Sequence, residues 1–338
     1  MRVAILAHEQ FPDRAKTAVG VLRYGDQDVV AVLDREEAGS NVADFGLRNV
    51  QDAPVVASMD DAPDCDALII GIAPIGGGFE ESWRKDVRTA IERGCNVISG
   101  LHYFLNEDDE FASLADEYGV ELTDVRSPPE DLTVAQGISD QVAADVVLTV
   151  GTDCSVGKMT ATMELVETAR EHGIDAAAIP TGQTGIMVEG WGIAVDRVIS
   201  DFTNGAVEQM ILEIGDDHDL LVVEGQGSII HPAYSAVTCG ILHGAMADKL
   251  VLCHDATREA IHGYESFPLP PVEEYVALYE SLAAPVHETE VVAGSLNTHA
   301  LSDEQDARGA IEEFETAIGG PATDPVRFDA AEILEAIR

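Results

Sequence analysis

The stretch Gly151-Thr152-Asp153-Cys154-Ser155-Val156-Gly157-Lys158-Met159-Thr160 constrains this chain more than any other. It follows the apolar run Val146 to Val150 and precedes a helix-like run from Thr160 to His172. Strand, glycine-bounded loop ending in Gly-Lys, then helix is the layout of a phosphate-binding loop. Backbone N–H groups and the positive end of the helix dipole cradle phosphate oxygens there, and a lysine adds a point charge. The common pattern has four residues between the first Gly and Gly-Lys, then Ser or Thr for a magnesium ion. Here five residues intervene, and Met159 takes the hydroxyl position. Thr160 comes one residue later, about 100° around the helix. The expected ligand set is Gly151, Thr152, Ser155, Gly157, Lys158, Met159 and Thr160, and no resident metal is expected. Phosphate binding follows from this pattern; transfer of a γ-phosphate does not.

A phosphate loop needs a parallel sheet to carry it, and the rest of the chain supplies one twice. Arg2 to Ala7, Val29 to Leu33, Ala67 to Ile72, Cys95 to Ser99 and Val120 to Val125 read as strands. Helical stretches such as Trp83 to Arg93 and Asp109 to Tyr118 alternate with them. Such alternation argues for a parallel sheet covered on both faces. Ser127-Pro128-Pro129 breaks the series, because proline cannot continue a strand ladder and biases its predecessor to extended backbone. A linker is expected at about 127–142. A second series runs through Val146 to Val150, Ala176 to Ile179, Leu220 to Val223, Lys249 to Cys253 and Val291 to Ala293. The expected architecture is α/β: a Rossmann-like domain at 1–130 and a P-loop domain at 143–338, both doubly wound.

Charge excludes several function classes. The chain carries 62 acidic against 19 basic residues, a formal net charge of −43. Apolar periodic segments persist between the acids, so disorder is a poor explanation. A halophile's cytoplasm is a better one, since in molar salt the Debye length is about 3 Å and dense carboxylates repel little. No basic patch exists to meet nucleic-acid phosphates. The N-terminus reads as a strand, no apolar run is long enough to span a bilayer, and five cysteines without a C-x-x-C pair read as reduced thiols. The expected protein is cytoplasmic and homo-oligomeric, with a small-molecule substrate and neither nucleic-acid nor membrane partners.

Polar clusters follow several strands, where open α/β sheets bind ligands. Thr181-Gly182-Gln183-Thr184-Gly185 follows one strand and Glu224-Gly225-Gln226-Gly227-Ser228 another, with His231 soon after. Glu224 at a strand end is a candidate acid, base or ligand, and His231 a candidate general base. Asp153 inside the loop would repel phosphate unless a cation or hydrogen bond offsets it, which makes it a candidate for contacting a substrate amine. Arg23 and Arg126, placed near strand ends or loops, are candidates for a substrate carboxylate, with Gln183 and Gln226 as further substrate contacts. Gly71 to Gly78 departs from G-x-G-x-x-G, so a nicotinamide cofactor is weakly supported.

In order along the chain stand Lys16 with Leu22-Arg23-Tyr24, Gly76-Gly77-Gly78, Ser99-Gly100-Leu101-His102, Asp124-Val125-Arg126, the phosphate loop, Thr181 to Gly185, Asp201-Phe202, and Glu224 to Ser228 with His231 to Ser235. This series resembles a two-domain family long labelled as of unknown function, whose members include D-glutamate N-acetyltransferases. The resemblance covers essentially the whole chain. It implies a Rossmann-like domain plus a P-loop domain, and acetyl transfer from acetyl-CoA to the amine of D-glutamate. The second domain also resembles dethiobiotin synthetase, which has a similar loop but a threonine where Met159 stands. Coenzyme A carries phosphates that need a cradle without in-line transfer, so Met159 fits a CoA site better than a kinase or ligase site.

The first expectation is therefore an acetyl-CoA-dependent N-acetyltransferase of an acidic amino acid. Glu224 or His231 would act as base, and N–H groups of Gly182-Gln183 or Gly225-Gln226 would face the oxyanion. The alternatives are an ATP- and magnesium-dependent ligase or kinase, with Thr160 or Thr152 recruited to the metal, and a non-catalytic nucleotide-sensing regulator.

Overall fold

A computed structural model describes residues 1–74 and 77–338; Ile75 and Gly76, and with them part of the expected glycine motif, lie outside the described residues. The chain divides into two compact units, 1–127 with 183–194, and 128–182 with 195–338.

Unit 1 runs β1 (Arg2–Leu6), α1 (Lys16–Tyr24), β2 (Asp28–Leu33), β3 (Val55–Val56), β4 (Ala67–Ile70), α2 (Arg84–Glu92), β5 (Asn96–Ser99), α3 (Asp109–Tyr118) and β6 (Leu122–Asp124). The strands pair in parallel in the order β3-β2-β1-β4-β5-β6. That is the Rossmann order, with its topological switch between β1 and β4. β4 is buried at every position, as expected of a strand covered on both faces. Lys16 and Arg23 lie on helix α1 rather than in a strand-end loop. α3 begins where the Asp108 carboxylate accepts the N–H groups of Glu110 and Phe111, and it ends at Gly119, whose φ of 68° is left-handed.

The chain continues with β7 (Asp145–Gly151), α4 (Lys158–Glu171), β8 (Ala176–Ile179), α5 (Gln183–Glu189), α6 (Thr203–Ile214), β9 (Leu220–Val223), α7 (Ser235–Ala245), β10 (Lys249–Asp255), β11 (Ala260–Ile261), β12 (Tyr264–Pro268), α8 (Val272–Ala283), β13 (Glu290–Asn297), α9 (Glu304–Ile318), β14 (Ala322–Thr323) and α10 (Ala331–Ala336), all but α5 in unit 2. The unit 2 sheet is parallel in the order β14-β13-β10-β7-β9-β8, which puts β7 among the central strands with β10 and β9 as neighbours. β11 and β12 form a separate antiparallel hairpin that the apolar pattern does not announce, because every residue of β12 is exposed.

Two segments depart from simple chain order. Helix α5 belongs to unit 1, although it lies far along the chain. Its Thr184 hydroxyl bonds that of Thr17 at 2.8 Å, and the Met187 carbonyl accepts Gln27 Nε2 at 3.1 Å. The Met187 side chain joins the unit 1 core, a burial worth about 1.5–3 kcal/mol. The stretch expected as a linker is docked on unit 2. Buried Glu208 on α6 accepts the N–H groups of Gln136 and Ile138 at 2.6 and 2.8 Å, and Ser139 Oγ donates to the Gly244 carbonyl at 2.6 Å. A Cβ on Gly205 would fall 2.0 Å from the Thr133 carbonyl oxygen, so the close approach requires glycine.

Candidate active site

β7 delivers Gly151 to the carboxyl end of the unit 2 sheet. The buried Tyr279 hydroxyl fixes it there, donating to the Gly151 carbonyl at 2.7 Å and accepting the Ile229 N–H at 3.1 Å. Burial pushes the Tyr279 phenol above its ordinary range, so it stays protonated as a donor. The loop then turns through two left-handed positions, Ser155 at φ 54° and Gly157 at φ 102°. Successive turns of this kind direct backbone N–H groups into one concavity. α4 starts directly at Lys158 with no side-chain cap and no acid in its first turn. α9, by contrast, is capped by Asp303. The first N–H groups of α4 therefore lack the internal carboxylate acceptor that α9 has, which suits an anion.

Lys158 is buried and folds back over the loop, its Nζ donating to the Asp153 carbonyl at 2.7 Å. A Cβ on Gly151 would fall 2.8 Å from that Nζ, so glycine keeps the space the ammonium occupies. Met159 and Thr160 follow on the first turn of α4, both half-buried. Thr152 is buried and its hydroxyl bonds His254 Nδ1 at 2.8 Å, which opposes the expected recruitment of Thr152 to a metal.

Asp153 is fully buried. Its Oδ2 accepts Arg258 Nη1 at 2.7 Å and the His262 N–H at 2.8 Å, while Oδ1 accepts the Cys154 N–H at 2.7 Å. These bonds resolve how a carboxylate is tolerated in a phosphate loop. They also correct its expected role: this carboxylate is engaged inside the protein rather than presented to a substrate amine. His231 lies alongside, with Nε2 3.9 Å from Asp153 Oδ1. Its ring is flanked by Tyr234 at 4.6 Å and Tyr264 at 5.3 Å. Burial lowers the His231 pKa, opposed by the charge of Asp153. His231 Nδ1 accepts the Ala233 N–H at 3.1 Å. The neutral ring thus carries its proton on Nε2, a buried atom without a hydrogen-bond partner.

Asp153, Cys154 and His231 bring possible metal-ligand atoms within 4.8 Å of one another. The donor set does not suit an ion. His231 Nε2 carries the proton, and one oxygen of Asp153 is held by a guanidinium.

Glu224 follows β9 and is buried. Its Oε2 accepts the N–H groups of Thr181 and Gly182, each at 3.2 Å. The Thr181 hydroxyl donates to the Glu224 carbonyl and accepts Gln226 Nε2 at 3.2 Å. The ends of β8 and β9 are thereby laced together. This overturns part of the expected oxyanion site. The Gly182 N–H serves Glu224, and the Gly225 N–H donates to Thr149 Oγ1 at 3.1 Å. Gly225 is fixed by packing as well, since a Cβ would lie 1.8 Å from the Thr149 carbonyl oxygen.

Residues 133–334 match the P-loop domain of a family described as a domain of unknown function, DUF1611_C, and residues 35–128 match its Rossmann-like domain, DUF1611_N. The chain belongs to the DUF1611 family. It is 34% identical over 327 residues, 96% of this chain and 94% of the relative, to a D-glutamate N-acetyltransferase of Tritonibacter scottomollicae. A D-glutamate N-acetyltransferase of a Pseudoalteromonas species is 36% identical over 77% of each chain. The crystal structure of a DUF1611 family protein from Anabaena variabilis is similar throughout, with a TM-score of 0.94 at 38% identity, covering 99% of this chain and 98% of that one. The family and both domain folds expected from the motif series are thus established.

The remaining predicted residues of this DUF1611 chain lie in unit 1. Arg126 is buried, with Nε donating to the Gly100 carbonyl at 2.6 Å and Nη2 to Gln183 Oε1 at 2.7 Å. Two residues expected to touch substrate therefore bond each other. Arg23 is half-buried in the last turn of α1, where its charge complements the helix dipole, and its Nε donates to the Arg48 carbonyl at 3.0 Å. Sequence reasoning missed Arg258 and Tyr279; Ser228, in the polar cluster after β9, has its Oγ donating to the Thr152 carbonyl at 2.9 Å. Arg258 alone left a usable signal. A basic residue is scarce in this chain, and this one closely follows the polar end of a strand.

Proposed function

We propose that this chain is an acetyl-CoA-dependent N-acetyltransferase acting on an acidic amino acid, with D-glutamate as the first candidate. The observation that carries the reading is the match, over 96% of the chain, to a relative bearing that name. The loop is compatible with it. Glycines, an uncapped helix and Lys158 suit the phosphates of coenzyme A, while Met159 offers no hydroxyl for magnesium. Gly151, Ser155, Gly157 and Lys158 would hold those phosphates.

Acetyl-CoA supplies the activated acyl group; the protein must supply proton transfer and stabilise charge on oxygen. Glu224 is our candidate base, its orientation set by two backbone N–H groups. His231 is assigned as a donor rather than a base, because Nδ1 is occupied and Nε2–H is buried without an internal acceptor.

The test is release of thiol from acetyl-CoA and D-glutamate with a chelator present and no ATP. Glu224→Gln should slow it strongly. Turnover that requires ATP and magnesium would replace this reading with a ligase or kinase, and binding without turnover would replace it with a nucleotide sensor. Among the described residues no helix is long and apolar enough to cross a membrane. We further propose that the acidic surface serves a high-salt medium. A melting temperature unchanged between molar and millimolar KCl would remove that proposal.

A further inference from the structure

We infer that Arg258 is a positioning residue that sets the charge of the phosphate loop by neutralising Asp153. Anion affinity would then depend on this pair and not on Lys158 alone. The inference rests on the reading of the loop as a phosphate site.

The starting point is an anomaly. Asp153 lies between Gly151 and Gly157, where an anion is to be held, and its side chain is 0% exposed. A buried carboxylate at contact range repels phosphate far more than a solvated one does. The counter-charge comes from outside the loop. Arg258 follows β10 and meets Oδ2 at 2.7 Å, joined by the N–H of His262 from the β11–β12 turn. Arg258 is committed chiefly to this partner, since its Nη2 approaches Asp255 only to 3.7 Å.

Lys158 Nζ meets the carbonyl of the same Asp153 at 2.7 Å. Lys158 and Arg258 thus both meet Asp153, and Asp255 stands 3.7 Å from the same guanidinium, so removing Arg258 shifts the local charge by one unit toward negative. His231 stands nearby without offsetting the carboxylate. Its buried Nε2–H lies 3.9 Å from Oδ1, and the neutral ring leaves the local charge unchanged.

The test is a charge ladder, read as coenzyme A affinity by calorimetry in molar KCl. The Asp153→Asn/Arg258→Ala double variant carries the same local charge as the unsubstituted protein, Arg258→Ala one unit less and Asp153→Asn one unit more. Arg258→Ala should bind about tenfold or more weakly, by the strength of a unit charge at this range. The double variant should return to within about threefold of the unsubstituted protein, and Asp153→Asn should bind at least as tightly as it. If Arg258 merely seats the hairpin, the double variant will bind no better than Arg258→Ala, and the inference falls. Should Arg258→Ala not fold, Asp153→Asn decides: weaker binding than the unsubstituted protein overturns the inference. Unchanged affinity in Arg258→Ala overturns it as well, while the phosphate reading stands. Failure of the unsubstituted protein to bind coenzyme A overturns both.

Discussion

At the carboxyl end of the unit 1 sheet, Asp34 follows β2 and is buried beneath four of the protein's own N–H groups. Its oxygens accept Gln10, Phe11, Glu36 and Glu37 at 2.9–3.3 Å. In a dinucleotide-binding Rossmann domain an acid after the second strand holds a ribose hydroxyl. Helix α1 also packs closely against the end of β4. The Ala18 N–H of α1 donates to the Gly71 carbonyl at 2.8 Å, and a Cβ on Gly71 would fall 2.4 Å from Ile5. Nearby, burial opposes the charge of Asp86, but bonds from His8 and the Met59 N–H and the charge of Arg35 hold its pKa below the ordinary value. At the carboxyl end of the unit 2 sheet the arrangement is reversed. Glycines hold space open, α4 is uncapped, and a lysine stands at its first position. Among the described residues, the strand-end acid of unit 1 is taken up by the protein's own N–H groups, while the phosphate-loop helix of unit 2 begins without a cap. The difference lies in the side chains and glycines at the strand ends.

A reciprocal pair of substitutions puts that contrast under the greatest strain. Lys158→Ala should weaken coenzyme A binding about a hundredfold, the order expected for a point charge near phosphate, and change stability little. Asp34→Asn should do the opposite. Losing a charged acceptor shared by four N–H groups should cost about 2–4 kcal/mol of stability while coenzyme A affinity holds. Calorimetry and urea unfolding read the two effects. If Lys158→Ala binds normally, or if Asp34→Asn loses ligand without losing stability, the two strand ends have been assigned the wrong way round.

A smaller effect sharpens the unit 2 side. Burial lowers the pKa of His231 and of His254 below the ordinary value of about 6.5. The unfolded chain then takes up protons first as pH falls, so stability is full above about 6.5 and is lost below it as the folded-state values are approached. His231→Phe keeps an aromatic ring beside Tyr234 and Tyr264 but has no proton to gain. Its unfolding free energy should fall less steeply between pH 7 and pH 5 than that of the unsubstituted protein. An equal slope would mean that His231 does not resist protonation in the folded state.

The sequence by itself determined the parallel α/β class, the βα unit around Gly151 to Thr160, and the strand-end placement of Glu224. These follow from local signals: continuous apolar runs, glycines at turns, and periodicity within one element. It also exposed the tension of an aspartate inside a phosphate loop. Only the tertiary structure decided how that tension is met. Arg258 lies more than a hundred positions away along the chain, and strand β12 of the hairpin that follows it is exposed throughout, with no apolar pattern to read. Tertiary packing likewise carried α5 into unit 1 through Thr184 and Met187, joined Arg126 to Gln183, and directed the Gly182 and Gly225 N–H groups inward. The physical reason is the same in each case. A hydrogen-bond donor or charge is taken by whichever acceptor the fold brings within about 3 Å, and that neighbour is set by the packing of distant segments rather than by the adjacent sequence.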